Sequence, residues 1–418
     1  RLAESIGLLS EAEQKRLDLD LISVRVEGST SLHAKPAAMS YWADLLQSKG
    51  RGPTSVCLVC GRVRPTVDTL PQSLVGSRIP ATSTAQVALL SVNFESASRG
   101  ARGKGLRSAP ICMECAISAV SSFNALTASP THRWGNSGDQ SATIWWTSEA
   151  RPADENDVRS VENPIPADVQ RLYESAYSGK PSLYADDRFY LLTFRGNVAR
   201  LVILRWLDLP LSQVRDHLRA WFRDTKSASP DHPYWSLTAL ASSAGPFTGD
   251  KATVPPGAVN ALALTAVGGV APPRSLLLQA LQRARAEVHG LTGGDALTKH
   301  RYRQRRHARA GLLRLLLNRS NYKEKIVGSS LDESRTDPPY VNGRLFAIRE
   351  ALQYRASGEV NASIVDRFFE RASANPQSVQ HSLETLGMRH LRALRGKENG
   401  RGPSIWFAKR IQDLERLG

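Results

Sequence analysis

The spacing of apolar positions changes character along this chain of 418 residues. In the first half, short apolar runs favour strands. Leu19 to Val26 alternates as a strand does, and Ser141 to Trp146 is a continuous apolar run. Asp186 to Phe194 and Ala199 to Trp206 read as two strands joined by a hairpin turn at Arg195-Gly196-Asn197. Met39 to Gln47 and Leu211 to Arg223 are helical, and two weaker helices fall near Trp235 to Ser242 and Val259 to Val267.

In the second half the apolar positions recur every three or four residues. Five or six helices are expected there, over Arg274 to Val288, Leu297 to Asn318, Val341 to Ser357, Ala362 to Ala374, Pro376 to Arg395 and Pro403 to Leu417. Leu345, Ile348 and Leu352 share one face of the third. Ile364, Val365, Phe368, Phe369 and Ala372 form a face of the fourth too wide for a single shallow contact. Gly290, Gly358 and Gly396 stand where helices stop, and Asn361 is placed to cap the fourth helix. The fold class is therefore α+β. A mixed α/β N-terminal part with a stapled insertion precedes an all-α C-terminal helical bundle. Four parts are expected, over residues 1–56, 57–130, 131–232 and 233–418.

Four cysteines form two Cys-x-x-Cys pairs, Cys57/Cys60 and Cys112/Cys115, with 51 residues between them. Each pair brings two thiolates to one ion from a tight turn, and two pairs complete a tetrahedral zinc site. The zinc would be structural, since four thiolates leave no open position for substrate. The alternative is four thiols at chance spacing. Between the pairs lie Arg99, Arg102, Lys104 and Arg107 among Ser and Gly, as a phosphate-contacting loop or a solvated one. Trp145-Trp146 reads as core, with a stacking pair as the alternative.

Charge sharpens this picture. The formal net charge is +16, which points to a polyanionic partner. The excess is concentrated, because residues 271–418 carry 27 Lys and Arg against 14 Asp and Glu. The densest run, Lys299 to Arg309, falls in a predicted helix. Arg301, Arg305 and Arg309 recur there every four residues and are expected to form a phosphate-facing stripe, with ion pairing to neighbouring helices as the alternative. No signal core or membrane-length apolar run is visible, and the paired cysteines suit a reducing, cytoplasmic setting. Walker, G-x-S-x-G, H-E-x-x-H and dinucleotide motifs are not found, and no histidine lies in an H-x-E element.

Particular strings go further than periodicity. GRLFAIREALQ followed by NASIVDRFFERASANP resembles the C-terminal signature of the large subunit of type I-C CRISPR surveillance complexes (Cascade). CLVCG, LLSVNFESASRGARGKGLRSAP and FYLLTFRGNVARLVILRWLDLPLSQVRDHLRAWFRD resemble further segments of that family in the same order. Asn197 and Arg200 match positions that recur in its hairpin. Cys60 stands where the family often has Thr, which marks a metal-bearing variant. The family has a further N-terminal region, which this chain does not show ahead of Arg1.

The resemblance implies a non-enzymatic subunit that senses the protospacer-adjacent motif, binds target double-stranded DNA and holds the displaced strand. Its implied partners are CRISPR RNA, the backbone and guide-end subunits, the small subunit and the helicase-nuclease. Base pairing by the guide would read the sequence. The rival is a self-standing zinc-containing nucleic-acid enzyme or RNA-binding module. Changing Arg99, Arg102 and Lys104 together to Ala is expected to weaken DNA binding. The log–log salt slope should fall by about one unit per lost phosphate contact, and an unchanged slope would show a loop that is only solvated.

Overall fold

The computed structural model describes residues 35–48, 53–94, 96, 103, 105–135, 140–149, 152–177, 187–229, 232–248, 250–288, 295–319, 327–358, 360 and 362–417. The strand expected over Leu19 to Val26 lies outside them, as do Gly290 and Asn361. Mixed α/β structure comes first and helices follow, which is the α+β class expected. The chain divides into two units. Residues Gly196–Val202 belong with the N-terminal unit, and the rest of the chain beyond Ala128 forms the other.

The first unit begins with α1 (Pro36–Ser48) and two small antiparallel ladders. These are β1 (Thr54–Val56) with β2 (Val63–Pro65), and β3 (Leu74–Val75) with β4 (Gln86–Val87). Helix α2 (Met113–Ala128) follows and packs on α1. Its inward face is Ala116, Val120, Phe123 and Thr127. Only Val120 and Phe123 among them are large and apolar, so the pattern is weak to a reading based on large apolar positions. Val67, Leu106 and Ala116 make the local core.

The second unit is built on a four-stranded sheet in the order β5 (Arg133–Trp134), β6 (Ala142–Thr147), β7 (Arg188–Asn197), β8 (Arg200–Pro210), less the Gly196–Val202 tip of the last hairpin, which belongs to the first unit. Helices α3 (Pro152–Arg159) and α4 (Pro166–Tyr177) lie between β6 and β7 in the chain. The hairpin turn is two residues later than expected, and positive φ falls on Val198 rather than on Asn197. Gly196 has another reason to be glycine. Its N–H donates to Pro80 O at 2.7 Å, and a Cβ there would come within 2.7 Å of Thr82 Cβ.

One face of the sheet is covered by α5 (Leu211–Thr225) and α7 (Ala258–Gly268), with α6 (Leu237–Ser243) packed on α7. Leu211, Val214, Leu218, Trp221 and Phe222 recur at helical spacing on α5 and are buried against Trp145, Phe189 and Leu191. Thr143 of β6 donates to Asn260 Oδ1 at 3.0 Å, and Asn260 donates to Ser141 O at 2.7 Å, so the polar groups beneath α7 are satisfied.

The remaining helices are α8 (Arg274–Ala286), α9 (Ala296–Arg319), α10 (Pro338–Ser357), α11 (Ile364–Ala374), α12 (Gln377–Arg395) and α13 (Arg401–Leu417). Each coincides with an expected helix. Helix α10 ends at Gly358 with φ of 72°, where its stop was read. The cap of α11 is Ser363, whose hydroxyl accepts from Asp366 N in a capping box. Helix α11 packs against α8, α10 and α12, which accounts for its wide apolar face. Leu352, Ala356, Leu394 and Phe407 join α10, α12 and α13.

Helix α9 departs from expectation. Arg305 and Arg309 do not face solvent, being 8% and 4% exposed. Arg305 Nε donates to Glu287 Oε2 at 2.9 Å, and Arg309 also pairs with Glu287. Arg305 donates to Gly245 O, and Arg309 Nε donates to Ser243 O at 2.8 Å. These carbonyls lie at the C-terminal end of α6, where helical C=O groups lack partners and cations are favoured. Arg314 repeats the device on α5, donating to Asp224 O at 2.7 Å and Arg223 O at 2.8 Å. Burial lowers the pKa of Arg309 and Arg314, with the acids beside them working against the fall.

The expectation of a phosphate-facing Arg301–Arg305–Arg309 stripe is therefore corrected at two of its three positions. The four-residue period that aligns them also turns Arg305 and Arg309 towards the core, where Glu287 and two carbonyls offset their desolvation. Gly311 lets the same helix approach closely, since a Cβ there would stand 2.6 Å from Thr225 O.

Glu287→Gln should destabilise the fold by about 3–5 kcal/mol, because it leaves two buried guanidinium groups without their shared counter-charge. Arg303→Ala, on the exposed side of α9, should change stability by no more than about 0.5 kcal/mol. Denaturant unfolding of both variants checks this, and equal effects would dismiss the buried network.

Candidate functional site

The four cysteines converge. Cys57 follows β1 directly, and the turn carrying Cys60 leads back into β2. Cys57 N donates to Arg62 O, and Gly61 N donates to Cys57 O, both at 2.9 Å, so the first pair sits on a hydrogen-bonded knuckle. Cys112 precedes α2, and Cys115 lies in its first turn. Leu58 N to Pro110 O and Val67 N to Ile111 O, both 2.9 Å, tie the second pair to the first. A bridge between Thr66 and Cys112 adds to this. Fifty-one intervening residues thus return to one point.

All four Sγ atoms lie within 4.8 Å of one another. A tetrahedral thiolate site with metal–sulfur bonds of about 2.3 Å has sulfurs about 3.8 Å apart. The observed cluster needs only small rotamer adjustments to reach that geometry. Cys57 and Cys112 are buried, Cys115 is half-buried and Cys60 is exposed.

The electrostatics ask for a cation. Burial pushes the Cys57 thiol up, but N–H groups of Cys112, Cys60 and Val59 outweigh it and bring it down to about 6. Cys112 N donates to Cys57 Sγ at 3.4 Å. Burial, followed by the neighbouring sulfurs of Cys112 and Cys60, pushes Cys115 up. Four sulfurs this close cannot all ionise alone, whereas a divalent ion removes the repulsion. The N-terminus of α2 adds a favourable dipole for thiolates. Beside the cluster Arg64 pairs with Glu114, which raises the Arg64 pKa.

The cationic residues fall into different settings. Arg99, Arg102 and Lys104 lie outside the described residues. Arg107 is exposed, with Nε 3.5 Å from Asp68 Oδ1. Arg301 is exposed and is among the groups that lower the carboxyl pKa values of Asp250 and Asp295, after hydrogen bonds from Thr248 and Thr298. The exposed basic side of α9 is instead Arg303 and Arg306, with His300 and His307, a face one step around the helix from the stripe expected.

The reading of Trp145-Trp146 as one unit resolves into two. Trp145 is fully buried, while Trp146 lies on the other face of the sheet, 5.5 Å from the ring of Tyr190. Strand alternation, present in the sequence, was the signal for that separation.

The profile of the family described as CRISPR-associated protein (Cas_Csd1) matches residues 5–416. The chain belongs to this family of CRISPR-associated proteins. Individual curated proteins show no match to it. Among the described residues no helix is long and apolar enough to cross a membrane.

Elemental analysis of freshly purified protein should find one metal ion per chain. Cys112→Ser should lose it and melt at a lower temperature. Chelation should lower the melting temperature of the parent and leave the variant unchanged. A metal-free parent indifferent to chelator would remove the centre.

Proposed function

We propose that this chain is the large subunit of a type I-C CRISPR surveillance complex. It acts without catalysis of its own in the cytoplasm. It senses the protospacer-adjacent motif of target double-stranded DNA, stabilises the R-loop and recruits the helicase-nuclease. CRISPR RNA supplies sequence recognition by base pairing. The backbone and guide-end subunits and the small subunit are its protein partners.

The observation that carries this reading is the family match across residues 5–416. The basic excess, with net charge +16, supports it through the counterions such a chain releases on DNA. The type I-C assignment rests on the strings GRLFAIREALQ and NASIVDRFFERASANP.

The metal is zinc, held by Cys57, Cys60, Cys112 and Cys115. An all-thiolate set favours it, and its role is to fold the insertion rather than to react.

Reconstitution of the complex with and without this chain tests the proposal. Thymines of the displaced strand should become permanganate-reactive only when the chain is present. Opening that does not depend on the chain would refute the reading. Metal-dependent cleavage of DNA by the purified chain alone would favour the self-standing enzyme.

A further inference from the structure

The sheet of the second unit has two unlike faces. Trp145, Phe189 and Leu191 point into the core. Trp146 and Tyr190, paired across the β6–β7 ladder, point the other way. Their ring centroids are 5.5 Å apart with planes 25° from parallel. Trp206 of β8 completes the group, 5.6 Å from Trp146 and 5.8 Å from Tyr190.

Trp206 is 48% exposed. Further along the same face Ile144, Leu192 and Phe194 are buried, so it is the end carrying Trp206 that leaves aromatic surface in water. One cation stands beside them. Arg188 precedes Tyr190 by two positions in β7 and shares its face, while Arg195 and Arg205 alternate to the other face with Leu191 and Leu207. Arg188 Nε donates to Asp208 Oδ1 at 2.6 Å, which fixes that guanidinium at the edge of the ring cluster.

Flat π faces beside an arginine match one class of ligand. Unpaired bases stack on aromatic rings whatever their identity, while their phosphates are drawn to arginine. We propose that Trp146, Tyr190 and Trp206 form a stacking platform for an unpaired base of a DNA single strand, with Trp206 the ring that the base covers. This rests on the reading of the chain as a DNA-binding subunit, and adds to it the place where an opened strand is held.

Binding of a fluorescein-labelled oligo(dT) to the full chain, followed by anisotropy at several salt concentrations, tests the platform. Trp206→Ala should weaken binding roughly 5- to 100-fold, the range for loss of one stacked base. The log–log salt slope should not change, because no cation is removed. Trp206→Leu keeps apolar bulk without a flat π face and should bind as weakly. Trp206→Phe should recover most of the affinity. Circular dichroism and melting of each variant confirm that the exposed site has not altered the fold.

Parental affinity in Trp206→Ala, or a slope that falls with affinity, overturns the platform while leaving the DNA-binding reading in place. If Trp206→Ala binds oligo(dT) like the parent but fails to join the assembled complex, the face docks protein and the proposal is wrong. If the parent binds neither oligo(dT) nor duplex, free or assembled, the functional reading itself fails and the platform falls with it.

Discussion

Burying guanidinium groups is expensive, and the second unit is arranged around doing so. Helix α9 turns Arg305, Arg309 and Arg314 inward. Each meets carbonyls at the C-terminal end of another helix, α6 or α5, and two of them share Glu287. The carbonyls at a helix end need donors, and the arginines need acceptors, so each corrects the deficit of the other. Leu312, Leu315 and Leu316 then enter the same core as Trp145 and Trp221. The exchange ties α9 to the ends of α5 and α6.

The first unit solves a different problem. Its ladders are two or three residues long, and its local core is small. Such a region has little apolar area to offset chain entropy. A metal held by the four cysteines would crosslink a strand knuckle to a helix start and so close the long excursion between the pairs. A shared metal is a folding contribution of this kind, because the ligands are assembled only in the folded state.

These two solutions divide the chain's chemistry. The chain is strongly basic, yet its densest basic run keeps two of its charges, Arg305 and Arg309, inside the protein. Among the described residues, exposed cations include Arg303 and Arg306 on the outer side of α9 and the arginines of the β7–β8 hairpin. Charge counted along a sequence measures the supply of cations, and burial decides how many reach the surface.

By itself the sequence determined much of the fold. Helical periods placed the six described helices from Arg274 onward, Gly358 marked the end of α10, and the two Cys-x-x-Cys pairs named the four cysteines that the structure brings together. These features are local, set by neighbours within a turn or two of the chain. Helix α2 escaped because only Val120 and Phe123 on its buried face are large and apolar. Only the tertiary structure decided which side of α9 faces inward, because the partners of Arg305 and Arg309 lie on Glu287, Gly245 and Ser243, far away in the chain. It also joined Trp146 and Tyr190 to Trp206 from three different strands. A period of four or of two says which residues share a face, and what that face meets is set by contacts between elements that no local pattern records.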